Sequence, residues 1–190
     1  RPELQLDLME AVEASQARAL SARLEQYRAA QPPGDPVAAY REALYGGNAN
    51  RGRTLFYRHE AAQCMRCHAL GDQGGGVGVG PNLEHIASTL SREQLVEALV
   101  NPGARIAPGY GTVTLTLSDG QTLSGTLREE TDTDFVLQTG EGAPRRIAKA
   151  DVAQRQDATS SMPPMGHILT RRELRDVVAF LSTLEYSGSP

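Results

Sequence analysis

Apolar residues recur along this chain first with a helical period, then with the alternation of strands, then with a helical period again. Leu4, Leu6, Leu8, Val12, Ala19, Leu20, Leu24 and Tyr27 fall at near-helical spacing with polar residues between, which predicts one helix over about 4–30. Pro32-Pro33-Gly34 stops it. Asp35-Pro36 then supplies an N-cap and a first-turn proline for a short helix through Val37, Tyr40 and Leu44, closed by Gly46-Gly47. Asn48 caps a further helix from Ala49 to about His59, which carries Gly52 and Phe56 one turn apart. Ser91 with Gln94, and Thr170 with Glu173, form capping boxes for helices to about Val100 and through Leu174, Val177, Val178, Phe180 and Leu181.

Residues 111–148 change character. Val113, Leu115 and Leu117 alternate with Thr and Ser, Asp119-Gly120 turns the chain, and Leu123, Gly125 and Leu127 follow, which predicts a β-hairpin. Phe135-Val136-Leu137 and Arg146-Ile147-Ala148, parted by Gly140-Glu141-Gly142, add a third and a fourth short strand. The expectation is therefore a mainly α chain with a small antiparallel β insertion at about 111–150. Residues 1–45 form a helical extension, read as the end of an upstream helical repeat region, and residues 46–190 the main domain.

Length and charge narrow the function classes. At 190 residues against about 150 per domain, the chain holds one ordinary domain plus its extension. A net charge of −4 with no basic run argues against a protein that grips nucleic acid or an anionic membrane surface. Its apolar stretches, such as Leu95–Val100 broken by Glu97, fall short of the roughly 20 residues that span a bilayer, so no membrane span and a soluble chain are expected. It begins at Arg1 without a basic-then-apolar leader and reads as a processed form or an excised piece.

The only two cysteines stand in Cys64-Met65-Arg66-Cys67-His68, the C-x-x-C-H pattern of covalent c-type haem attachment. The spacing suits the chemistry: two thiols reach the vinyl groups on one porphyrin edge, and the next residue brings an imidazole under the iron. Cys64 and Cys67 would form thioethers and His68 would be the proximal ligand. A thioredoxin-like pair calls for a preceding strand, whereas a helical stretch precedes this motif and the glycine-rich run Gly71–Gly80 follows it. Structural zinc calls for four ligands, usually with a second cysteine pair. A disulfide would close too small a loop to stabilise much and would leave His68 unexplained. A phosphate-binding reading of the glycines lacks the strand before and the Gly-Lys-Ser/Thr after.

A helix with Gly52 and Phe56, then the cysteine motif, then Gly80-Pro81-Asn82-Leu83, then Met162-Pro163 before a helix ending Ala179-Phe180-Leu181, resembles class I cytochrome c. The resemblance implies that fold, with Gly52 and Phe56 pressed against Phe180 or Leu181, and a hydrogen bond from the His68 imidazole to the Pro81 carbonyl. More narrowly, residues 46–184 are similar to the haem-binding domain at the C-terminus of large bacterial proteins that carry a propeller-type dehydrogenase-like region and HEAT-type repeats. Gly46-Gly47-Asn48-Ala49-Asn50-Arg51-Gly52, Ile106-Ala107-Pro108-Gly109-Tyr110, Ser118-Asp119-Gly120 and Ser161-Met162-Pro163 carry that similarity. It places the β insertion between the cytochrome loop and the methionine, and any catalytic region outside this chain.

For the sixth ligand Met162 comes first, because the family places its methionine at this Met-Pro step; Met165, His167, His85, His59 and an open position are the alternatives. Met165 also reads as a core filler, and His85 and His59 as surface or hydrogen-bonded histidines. Leu83, Ile86, Leu95, Leu99 and Ile106 would wall the haem, with Arg105 and Tyr110 near its propionates. The leading function is a non-enzymatic electron-transfer domain holding one haem c and taking electrons from a redox partner or fused dehydrogenase. The alternatives are a haem-based sensor or peroxidase-like site with a displaceable sixth ligand, and a docking module built on the β insertion. Covalent haem attachment implies the periplasm.

Overall fold

A computed structural model describes residues 1–72, 80–107, 109–140 and 142–186. The first predicted helix is two. After a 3-10 turn at Pro2–Leu4, α1 (Gln5–Ser15) ends where Gln16 takes the left-handed region at φ 54°, and α2 (Arg18–Ala29) starts afresh. The Ser15 hydroxyl donates to the Val12 carbonyl at 2.8 Å and accepts from the Ala17 amide at 3.3 Å, so local side-chain bonds replace the helix ladder there. The short helix after Asp35 is a 3-10 segment, Ala38–Ala43, entered through an Asp35 carboxylate that accepts the Val37 amide at 2.8 Å.

The remaining helices follow their caps. α3 (Ala49–Arg58) is capped by Asn48, and α4 (Arg92–Val100) and α5 (Arg171–Leu181) carry both bonds of their capping boxes. α3 and α5 pack face to face. A Cβ on Gly52 would lie 1.9 Å from the Asp176 carbonyl oxygen and 2.8 Å from the Phe180 Cβ, so only glycine allows this approach. The Phe56 and Phe180 rings meet beside it with centroids 5.7 Å apart, and the Asn48 amide donates to the Asp176 carboxylate at 2.7 Å. Val37, Ala43 and Leu44 are buried in the same core as Phe56, Leu95 and Val178.

The sheet contains β1 (Thr112–Leu117), β2 (Thr122–Glu130), β3 (Asp134–Gln138), β4 (Arg145–Ala148) and β5 (Val152–Thr159). The order is β4-β3-β2-β1-β5 and every pairing is antiparallel, with Leu115 opposite Leu123 and Phe135 opposite Ile147. This corrects the expected fold class. The described residues are 42 % helix and 18 % strand with a five-stranded sheet, a mixed α and β protein rather than a mainly α class I cytochrome c fold with a small insertion. The physical reason is twofold. β5 runs past the expected limit at residue 150, and the sheet buries a core of its own, including Val113, Leu115, Phe135 and Leu137, separate from the helical one. β5 hid in the sequence because its residues are mostly polar, as befits an edge strand.

Among the described residues no helix is long and apolar enough to cross a membrane. α1 and the 3-10 segment are tied to α5 by charge: Asp7 pairs with Arg175 at 2.8 Å and Arg172 at 2.9 Å, Glu10 with Arg172, and the buried Glu42 with Arg171. The Arg175 hydrogen bond, chiefly, holds the Asp7 carboxyl below its ordinary value of 3.8. A lowered folded-state pKa contributes stability that is present above the ordinary value and lost as pH falls through the lowered one. Urea unfolding midpoints measured by circular dichroism should therefore hold steady above about pH 5 and decline below about pH 4, and Asp7→Asn should flatten part of that decline.

Candidate functional site

α3 delivers the chain to the cysteine motif through a compact turn. The His59 Nδ1 accepts the backbone amides of Ala61 and Ala62 at 3.2 and 3.0 Å, and Gln63 adopts the left-handed region at φ 43°. Cys64–Arg66 then forms a 3-10 turn in which the Cys64 carbonyl accepts the amides of both Cys67, at 3.1 Å, and His68, at 2.9 Å. One carbonyl thus gathers both thiols and the imidazole onto a single turn of backbone. Burial pushes the half-buried Cys64 thiol up. Among the described residues no group of three or more His, Cys, Asp or Glu side chains is placed to hold a metal ion.

His68 Nδ1 lies 2.9 Å from the Pro81 carbonyl oxygen. A carbonyl only accepts, so the network assigns the proton to Nδ1 and leaves the Nε2 lone pair for a ligand. Burial moves the His68 pKa below 6.5, which suits a neutral ligating imidazole, while the Pro81 bond acts in the opposite direction. A Cβ on Gly80 would fall 2.9 Å from the ring, so the chain passes directly against it. The Asn82 side chain fastens this segment to the residues that follow His68: its Oδ1 accepts the amides of Gly71 and Glu84, and its Nδ2 donates to the Gly71 carbonyl at 3.0 Å. The Leu83 amide donates to the Ala69 carbonyl at 2.9 Å beside it. Gly80 and Asn82 are positioning residues that motif reading left without roles. The signal for Asn82 was its habit of bonding neighbouring backbone, which turns use widely.

Leu83, Leu95 and Leu99 are buried in the helical core, and Ile86, Cys64, Met65 and Met162 lie half-buried against it. The structure thus sets the cysteine turn and Met162 on one core. Met165 is buried among apolar neighbours. Arg105 is exposed and 3.8 Å from Glu97, and Tyr110 and Ile106 are half-buried on the connection to β1, outside both cores. His59 has its Nδ1 filled and its Nε2 3.8 Å from Glu173; His85 is exposed against Tyr186, and His167 is exposed. Of the expected glycine-rich loop, residues 73–79 lie outside the described residues, as does Pro108.

No protein-family model matches the chain, and no curated protein matches it. The reading of the site therefore stands on its residues. They provide two thiols on one turn, a neutral imidazole with one nitrogen committed, a half-buried thioether and apolar walls.

Proposed function

We propose that this chain is a monohaem c-type electron-transfer domain, with one haem held through Cys64 and Cys67, His68 as proximal ligand and Met162 as sixth ligand. The observation that carries the reading is the Cys64–Arg66 turn followed by His68, whose Nδ1 is committed to Pro81. The donor set fits the group. When bound, haem supplies a one-electron iron couple.

The protein's own work is to hold and to exclude. Pro81 fixes the imidazole plane and raises its basicity, and Asn82 and Gly80 keep Pro81 in place. Leu83, Leu95 and Leu99, buried in the helical core, would wall the haem and exclude water from it. No side chain has to take up or release a proton for an electron to pass. The donor is a redox partner or a fused dehydrogenase region, and covalent attachment places the domain in the periplasm.

Met162→Ala tests the ligand. The haem-loaded wild type should show the weak near-infrared sulfur-to-iron band when oxidised; the variant should lose it, and its reduction potential should fall by on the order of 0.1 V or more. A wild-type spectrum that is high-spin, or that binds CO at once on reduction, would instead favour a sensor or peroxidase-like site.

A further inference from the structure

The N-terminal extension reaches the loop that carries Met162. Between Met162 and α5 the chain makes a 3-10 turn, Met165–His167, pinned inside by the buried Met165 and Leu169, whose amide donates to the Met165 carbonyl at 2.8 Å. Gly166, in the middle of that turn, faces the Tyr40 ring. A Cβ there would lie 2.2 Å from the Tyr40 Oη and 2.5 Å from its Cζ, so the ring rests directly on the glycine backbone. Tyr40 is the one residue of its 3-10 segment with non-helical backbone, at φ −127° and ψ 16°. The segment is fastened on both sides of it. Val37 and Ala43 are buried, the buried Glu42 pairs with Arg171 at the start of α5, and Arg92 Nε donates to the Leu44 carbonyl at 2.6 Å.

We propose that residues 37–44 are a strap over the sixth-ligand loop, and that Tyr40 is the positioning residue through which the extension governs how readily Met162 leaves the iron. The inference rests on the assignment of Met162 as ligand. When Met162 leaves together with its loop, the turn three residues on shifts with it, and the ring on Gly166 opposes that shift. Whatever moves the extension therefore changes the site from a closed electron carrier toward one that admits small diatomic ligands.

The experiment uses the full chain, haem-loaded, as wild type, Tyr40→Ala, Tyr40→Phe and Gly166→Ala, with CO as the probe after reduction. Tyr40→Ala should bind CO at least about tenfold faster and show a weaker near-infrared band, because the closed and open loop states are brought closer in energy. Tyr40→Phe keeps the ring and should behave as wild type. Gly166→Ala drives a methyl into the ring and should mimic Tyr40→Ala from the other partner, which covers the case in which that variant fails to fold. CO kinetics and band intensity in both Tyr40→Ala and Gly166→Ala within twofold of wild type would overturn the strap. If the wild type lacks the band, the ligand assignment fails on its own. Hydrogen exchange at the Ile168 and Leu169 amides, faster in Tyr40→Ala if the strap holds and unchanged if it does not, then still decides whether Tyr40 restrains the loop.

Discussion

Gly52→Val should destabilise the protein by about 3 kcal/mol, the upper end of what overpacking usually costs. The added Cβ would sit 1.9 Å from the Asp176 carbonyl oxygen, a backbone atom that no rotamer change can move, and 2.8 Å from the Phe180 Cβ. α3 and α5 would have to part by more than an ångström. That retreat would loosen the 2.7 Å bond from the Asn48 amide to Asp176, and the Phe56–Phe180 contact within the helical core that backs the cysteine turn. Urea unfolding followed by circular dichroism measures the loss. Gly103→Ala is the control, since nothing lies within 4 Å of a Cβ there, and its midpoint should match the wild type. Equal midpoints for both variants would mean that the helices do not cross at Gly52.

His68→Ala should abolish the low-spin spectrum of the haem-loaded protein while leaving the haem attached through the two cysteines. No other histidine is placed to substitute. His59 has its Nδ1 occupied by two backbone amides and its Nε2 turned to Glu173, while His85 and His167 lie exposed away from the core. The change also leaves the Pro81 carbonyl without its donor and opens a void against Gly80. Optical spectra of the oxidised and reduced variant, with haem content measured after denaturation, give the result. A spectrum unchanged from wild type would remove His68 from the iron.

Much of this arrangement was legible because local chemistry specified it. The capping boxes at Ser91 and Thr170, the Asn48 cap and the Asp119-Gly120 turn each satisfy backbone groups within a few residues, so the sequence alone carries the signal. The contact of Gly52 and Phe56 with Phe180, and the bond from His68 to Pro81, were expected from resemblance to a family. What escaped depends on distant parts of the chain. β5 is a strand because β1 offers it an edge, as Thr112 opposite Thr159 and Leu117 opposite Val152 show, and its own residues alternate too weakly to announce it. The break at Gln16 comes from a serine hydroxyl competing with the helix ladder. Tyr40 on Gly166 joins residues 126 positions apart, and neither the tyrosine nor the glycine is unusual where it stands.

The central claim is that Cys64, Cys67 and His68 hold a haem, and the mass and spectrum of the denatured wild-type chain test it most directly. Expressed in a host with c-type maturation, the protein should carry the mass of one haem beyond the polypeptide, retained after acid and organic solvent. Cys64→Ser with Cys67→Ser should carry none. A wild-type chain with the mass of the polypeptide alone, or one that takes up zinc on the same two cysteines, would contradict the account.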